Sequence, residues 1–340
     1  MRKNSFRVGK LERLPRLSPA AARRKLRQAL LTWYDEHRRE LPWRRDSDSY
    51  RVWVSEIMLQ QTRVAAVVDH YARFLQKFPT VQTLAAAHEA SVLAMWSGLG
   101  YYHRARRMHQ AAKLIARERK GRFPRTAEEW RELPGIGRYT AAAIASIAFG
   151  EAVAVVDGNV ERVLARVFGA AEGREVAWER AESLLDRARP GDFNQAMMEL
   201  GAMVCTPRSP QCPMCPLHTW CASRGADRTR LPSRRKRKQI TYGVARKNGS
   251  VLLVQRPADA SLMAGMWELP ALADAQPNGD KPLVILRHAI TDTDYDVSVF
   301  TAAPGTFRKL QRKARWFPRR QWERLPLTGL ARKILHRLPA

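Results

Sequence analysis

The chain is poor in cysteine, in acidic residues and in long apolar runs, and each shortage excludes something. Its four cysteines all lie between Cys205 and Cys221 of a 340-residue chain, so no disulfide framework staples the remainder. Only 32 Asp and Glu stand against 60 Lys and Arg, a formal charge of +28. A field of that sign is ill-suited to cationic partners and favours a polyanion. An Arg-rich genome would produce the same excess, and both readings stand, since Arg also suits bidentate phosphate contacts. The most apolar run, Ala141 to Phe149, is far too short to span a bilayer. The basic start (Arg2, Lys3, Arg7, Lys10) is followed by no apolar stretch of signal-peptide length. The expectation is a soluble, intracellular chain with no membrane partner. There, clustered cysteines point to metal.

What is present divides the chain. At roughly 150 residues per domain, the length suggests two domains. Residues 18–204 read as nearly all helical. Ser18-Pro19 pairs an N-cap residue with proline at the first helical position. The helix it opens puts Leu26, Leu30, Trp33 and His37 on one stripe, and Val64, Val67, Val68, Tyr71, Phe74, Leu75 and Phe78 repeat the period in another. Further helices are expected through Met108–Ile115, Ala141–Phe149 and Val160–Phe168. Residues 224–239 are basic and apolar-poor, with Arg228, Arg230, Arg234, Arg235, Lys236, Arg237 and Lys238. They read as a linker, either a solvated spacer or a phosphate-contacting strap. Beyond it, Ile240–Ala245, Val251–Gln255, Leu283–Leu286 and Val297–Phe300 read as short strands, with Asn248-Gly249 as a hairpin turn. A last helix, about Leu327 to His336, completes a smaller α+β region at 240–340.

Three local patterns carry chemistry. Cys205-x6-Cys212-x2-Cys215-x5-Cys221 offers four thiolates in one proline-rich loop, enough for a tetrahedral zinc or a cubane cluster. Zinc ribbons usually offer two Cys-x2-Cys knuckles, and this loop has one. Leu133-Pro134-Gly135-Ile136-Gly137-Arg138-Tyr139-Thr140-Ala141 joins two helical stretches. Its glycines permit a tight turn and close approach, and the following helix start presents free N–H groups that suit a phosphate. Glu56 lies among apolar neighbours in Val52–Leu59, where burial would raise its pKa and keep it a proton donor. Asp157 stands where the apolar Val155-Val156 meets a helix start, so N–H groups and the helix dipole favour its ionised form. Simple capping would explain Asp157 equally well.

Taken together, these motifs resemble the endonuclease III and MutY superfamily of DNA glycosylases. The cysteine spacing is similar to its [4Fe–4S] loop, and Leu133–Ala141 to its helix–hairpin–helix. Ser55–Thr62, Gly98-Leu99-Gly100-Tyr101-Tyr102, Asp157-Gly158-Asn159 and Phe193–Met198 look like MutY motifs in the family's order. The resemblance implies a mainly α helix–hairpin–helix glycosylase domain over 18–223, with an iron–sulfur loop at 205–221 held by Cys205, Cys212, Cys215 and Cys221. It also implies a smaller α+β Nudix-like domain over 240–340, on the likeness of Gly265–Pro270 to a Nudix strand. The acidic Nudix helix that would hold magnesium is absent, so no pyrophosphatase activity is expected.

By that resemblance, Glu56 protonates the leaving adenine and Asp157 stabilises or captures the sugar cation, supported by Tyr139 and Asn159. Trp43, Arg44 and Gln195 line the pocket for the extruded adenine. Gln61 and Tyr101 wedge the duplex, with Thr62 and Leu99 near the opposing base. Gly135 and Gly137 approach the backbone, and a monovalent cation is implied at the hairpin. Bifunctional relatives place a Schiff-base lysine where this chain has Tyr139, so a monofunctional enzyme is expected. The implied substrate is double-stranded DNA with adenine opposite 8-oxoguanine or guanine, bound by a monomer. A bacterial cytoplasmic, nucleoid-associated protein is expected, with nuclear or mitochondrial forms left open. The family's Phe-Ser-His lesion-sensing loop matches Ile290-Thr291-Asp292, where Thr291 keeps a hydroxyl and Asp292 adds a carboxylate. Competing readings are an endonuclease III-like lyase acting on oxidised pyrimidines, a non-catalytic lesion binder and a zinc-containing transcription factor.

Overall fold

Apolar periodicity builds the first half of the chain into helices, and the computed structural model shows which faces they bury. It describes residues 19–169, 173–224, 236–257, 259–260, 263–272, 281–290, 293–310 and 314–339. Ser18, Arg228, Arg230, Arg234, Arg235, Thr291 and Asp292 lie outside the described residues. Contacts gather the chain into two units, one from Met1–Ile57 and Glu118–Leu231, the other from Met58–Arg117 and Pro232–Ala340.

The first unit is helical. Pro19–His37 buries Leu26, Leu30 and Trp33 as the periodicity predicts, but Tyr34 joins them while His37 is exposed and stacks on Trp33. These side chains pack with Val160, Val163 and Leu164 of the helix Gly158–Phe168 and with Phe193 and Leu200 of Pro190–Met203. Between Arg138–Phe149 and Gly158–Phe168 the backbone is not helical. Its amide and carbonyl groups there need partners, and buried Asn194 supplies them. Its Oδ1 accepts from Val155 N at 3.1 Å, and its Nδ2 donates to Val153 O and Ser146 Oγ, both at 2.9 Å. That clasp fixes the segment leading to Asp157.

The second unit joins four helices, Val64–Lys77, Val81–Ala86, Glu89–Trp96 and His103–Arg117, to the α+β region. Val67, Tyr71, Phe74 and Phe78 are buried on the expected stripe. Among the described residues seven strands form two sheets: β1 (Lys236–Val244), β2 (Arg246–Lys247), β3 (Ser250–Gln255), β4 (Trp267–Glu268), β5 (Val284–Ile290), β6 (Thr293–Thr301) and β7 (Ala314–Pro318). One sheet runs β1-β6-β5, with β1 parallel and β5 antiparallel to β6, while β3 pairs with β2, β4 and β7 in the other. Asn248 and Gly249 both have positive φ, 48° and 68°, and Lys247 pairs with Ser250 across them, as a type I′ hairpin requires. In β5, Val284 and Leu286 are buried while Ile285 is 71% exposed, the period-2 pattern of a half-buried strand.

Two boundaries differ from the sequence reading. Strand β1 spans Lys236–Val244 and so takes in the end of the stretch read as linker, where Arg237 pairs with Asp296 of β6 at 2.6 Å. The last helix is Gly329–Leu335, capped by Thr328, whose hydroxyl accepts from Ala331 N. Residues 58–117 also group with the C-terminal region rather than with the other helices. Buried polar contacts join them: the Leu327 carbonyl accepts from Ser97 Oγ at 3.0 Å and Tyr102 Oη at 2.8 Å, and Arg332 Nε donates to Ser97 Oγ at 2.9 Å. Among the described residues no helix is long and apolar enough to cross a membrane.

Replacing Asn194 with Ala strands the buried Val155 amide and removes the partners of the Val153 carbonyl and the Ser146 hydroxyl oxygen. A loss of about 2–4 kcal/mol is expected, measured by urea unfolding, and a change under half that would show water filling the gap.

Candidate active site

Two of the buried glutamates lie in the first unit, and their surroundings drive them in opposite directions. Glu56, near the end of the helix Ser49–Leu59, is 6% exposed among Val52, Trp53, Ile57 and Met58. Burial pushes its carboxyl up to about 7; a hydrogen bond from Tyr139 and the charge of Arg44 oppose this, while Asp157 adds to it. Tyr139 Oη donates to Glu56 Oε2 at 3.1 Å and also approaches Met198 Sδ at 3.3 Å. Burial and the facing carboxylates hold the Tyr139 phenol well above its usual range. It is therefore a neutral donor.

Glu199 shows the reverse. Burial alone would raise it, but two guanidinium groups bring it down to about 2. Arg39 donates through Nε and Nη2 at 2.8 and 2.6 Å, and Arg44 through Nη1 and Nη2 at 3.1 and 3.0 Å. Arg44 sits on the single 3₁₀ turn Pro42–Arg44 beside buried Trp43. Its Nε is buried with no hydrogen-bond partner in the protein.

Asp157 is the N-cap of Gly158–Phe168. Its Oδ1 accepts from Asn159 N at 2.9 Å and Val160 N at 2.7 Å, and Oδ2 accepts from Asn159 Nδ2 at 3.0 Å. The capping reading of Asp157 is thus correct as geometry, and it fixes the carboxylate's orientation without burying it. Arg162 extends the chain of bonds, donating to Asn159 Oδ1 at 2.8 Å, Gly201 O at 2.8 Å and Cys205 O at 2.9 Å.

Cys205 opens the cysteine loop. The four thiols are free and partly buried, and they line one small cavity walled by Val163, Val167, Leu200, Val204 and Leu217. Arg166 Nη1 reaches Cys205 Sγ at 3.3 Å and Thr206 O at 2.8 Å. Among the described residues no three His, Cys, Asp or Glu side chains meet as ligands of a single metal ion. A cubane cluster spreads its four thiolates around a larger inorganic core, and four cysteines about one apolar cavity beside a guanidinium suit that donor set.

The hairpin Leu133–Gly137 turns at Gly135, φ 81°, and Gly137 begins Arg138–Phe149 with no side-chain cap. With Gly137 and Arg138 exposed, the first-turn N–H groups face outward. Gln195 is half-buried on Pro190–Met203. The first unit therefore brings Glu56, Tyr139, Asp157, Asn159 and Arg44 into mutual influence. In the second unit, Thr62 Oγ1 contacts Leu99 O at 3.3 Å, and Leu99 itself is buried. Gln61 and Tyr101 take left-handed φ values of 55° and 47°, which cost about 1–3 kcal/mol each for residues with a side chain. Sequence reasoning missed Arg39, Glu199, Arg162, Arg166 and Arg104. Their partners lie up to 160 positions away, and no local pattern announces such pairs.

A family model for HhH-GPD superfamily base excision DNA repair proteins matches residues 54–186, a span holding Glu56, the hairpin and Asp157. A solved structure of a thermostable thymine-DNA glycosylase is 30% identical, with a TM-score of 0.57 over 60% of this chain and 97% of that one. The chain belongs to the HhH-GPD superfamily of base excision DNA repair proteins. Within it, the chain is similar to adenine DNA glycosylases: 53% identical to that of Homo sapiens over 213 residues, covering 58% of this chain and 39% of the relative. It is 43% identical to that of Mus musculus over 310 residues, covering 72% of this chain and 60% of the relative. The chain thus spans less than two thirds of those relatives' own lengths.

The two glutamates make opposite contributions to stability. Glu199, depressed when folded, stabilises above its unfolded pKa, and that contribution is lost as pH falls towards 2. Glu56, raised to about 7, destabilises once pH exceeds its unfolded value, in full above about 7. Glu56→Gln is therefore expected to stabilise at pH 8 by up to about 3 kcal/mol, and by nothing at pH 4. Urea unfolding at the two pH values checks this, and equal effects would refute the raised value.

Proposed function

We propose that the protein is a monofunctional DNA glycosylase that excises adenine mispaired with 8-oxoguanine or guanine in double-stranded DNA. The observation that carries this reading is the pair Glu56 and Asp157, one buried and held near pH 7, the other capped and oriented. Adenine leaves poorly as an anion. A carboxylic acid still protonated near neutrality supplies the proton to the purine ring, and a carboxylate of fixed orientation faces the positive charge that develops on the sugar. Tyr139 keeps Glu56 oriented, and Asn159 does the same for Asp157. The free Nε of Arg44 supports a pocket for an extruded base, with Trp43 as its apolar wall and Gln195 as a further polar contact. Extrusion is required because the scissile bond is inaccessible in a stacked duplex.

A tyrosine in place of an amine at position 139 supports glycosylase without lyase chemistry. Gly135 and Gly137 suit a phosphate held by main-chain N–H groups, with a monovalent cation on the hairpin carbonyls. Cys205, Cys212, Cys215 and Cys221 would hold a [4Fe–4S] cluster with no open coordination position, whose contribution is to shape a DNA-binding loop. Gln61 and Tyr101 enter the duplex, Thr62 and Leu99 support them near the opposing base, and Thr291 is the lesion-sensing hydroxyl. The excess of basic residues supports a DNA partner. We assign a monomer acting at the bacterial nucleoid.

The test is single-turnover strand scission, with and without alkali, on duplexes carrying adenine opposite 8-oxoguanine, guanine or cytosine, with an oxidised-pyrimidine duplex alongside. Cleavage at adenine that needs alkali is expected, with a rate that falls as pH rises above about 7 as Glu56 loses its proton. Glu56→Gln is expected to lower the rate about 10²–10⁴-fold, and Asp157→Asn to abolish cleavage while leaving duplex binding intact. Alkali-independent cutting at the oxidised pyrimidine, with adenine untouched, would establish the lyase instead. Binding without cleavage of either duplex would leave a lesion binder.

A further inference from the structure

The second unit contains a buried cation that bonds to main-chain carbonyls of two loops. Arg104, on the helix His103–Arg117, is 5% exposed, and its guanidinium faces oxygen atoms from two separate loops. Nη1 donates to Met58 O at 3.0 Å and to Gln60 O; Nη2 donates to Thr62 Oγ1 and Leu99 O, both at 3.0 Å, and to Gly100 O at 3.2 Å. The face of the group lies 5.3 Å from the Trp96 ring and 5.5 Å from the Tyr101 ring. Met58 and Gln60 end the helix Ser49–Leu59, whose last carbonyls have no helical partner, while Leu99 and Gly100 belong to the Gly-Leu-Gly-Tyr-Tyr stretch. Each of these loops carries one strained residue, Gln61 in the first and Tyr101 in the second. Left-handed φ at a residue with a side chain persists only where the surroundings over-determine it. One planar cation with several donors is the group that does so here.

We propose that Arg104 is a positioning residue that clasps the 58–62 and 99–101 loops into one preformed element, presenting Gln61 and Tyr101 together before DNA arrives. This rests on the reading of those two residues as the duplex wedge. Arg104 itself touches no substrate. Its bonds to carbonyls of both loops and to the Thr62 hydroxyl hold the wedge residues' backbone, so its removal should slow base extrusion and leave the proton-transfer step alone. Lys is not a substitute, because a single ammonium has no planar fork to reach both loops.

The experiment uses the full-length protein and a mismatch duplex with 2-aminopurine at the adenine position, its fluorescence rising as the base leaves the stack. Arg104→Lys is expected to slow that rise about ten- to a hundred-fold, the scale of losing charge-assisted hydrogen bonds. The fall of excision rate above pH 7 should keep its midpoint. A variant that extrudes at the wild-type rate, or that extrudes normally but shifts the pH midpoint, overturns the proposal. Wild-type protein that leaves adenine in place fails the glycosylase reading instead, a distinguishable result. Should Arg104→Lys not fold, amide hydrogen exchange of the wild-type protein decides. Thr62 and Leu99, in different loops, should then exchange at one common slow rate, and independent fast exchange overturns the clasp.

Discussion

Where the guanidinium of Arg44 goes determines what the first unit can do. Two carboxylates are buried within its reach. Were Arg44 to pair fully with Glu56, that group would ionise and cease to be an acid. Instead both arms of its fork are taken by Glu199, shared with Arg39. One buried glutamate is thus paired and held down to about 2, while the other is raised by burial to about 7. Arg44 lowers both, but it hydrogen-bonds only Glu199 of the two. Divergent environments for neighbouring carboxyl groups are how one fold assigns acid and base roles, and here the divergence rests on a third group that absorbs the positive charge.

Asp157 achieves its role by a different route. Its orientation comes from main-chain donors of the helix it caps, so the cost of fixing it is shared with helix formation. The same bonds that cap the helix hold both carboxylate oxygens in place. The bonds continue from Asn159 through Arg162 to the carbonyl of Cys205. Gly201 permits this packing: a Cβ there would lie 2.6 Å from the Asn159 Cβ. The position and orientation of Asp157 are therefore linked to the backbone course into the cysteine loop.

Glu56, Asp157 and the hairpin were legible in the sequence because each is announced locally: an acid inside an apolar run, an acid at a helix start, two glycines between helices. The helical stripes were legible for the same reason, and Asn248-Gly249 named its own turn. Glu199 was not. The apolar period of its helix (Phe193, Ala196, Met197, Leu200) does not mark it, and its meaning comes from Arg39 and Arg44 across some 160 and 155 positions. Strand β1 takes in residues that composition read as linker, where β6 supplies both the main-chain pairing and Asp296 as a partner for Arg237. The grouping of residues 58–117 with the C-terminal region rests on hydrogen bonds between Ser97, Tyr102 and the Leu327 carbonyl, a pairing invisible to composition.

Arginine content invites a single explanation, and the structure gives it two. Part of the +28 charge is displayed outward, where it suits a polyanion. Another part is buried: Arg104 and Arg166 are 5% and 4% exposed. Each satisfies several carbonyl oxygens at places where the backbone leaves a helix. Such ends carry unpaired acceptors that no repeating structure can satisfy, and a guanidinium, with five donors in one plane, answers more of them than any other side chain. Loops built this way need little hydrophobic core to hold a defined course, which is what a site assembled from turns requires. The excess of arginine is thus as much a device for shaping irregular backbone as a means of attracting a polyanion, and net charge alone overstates the second.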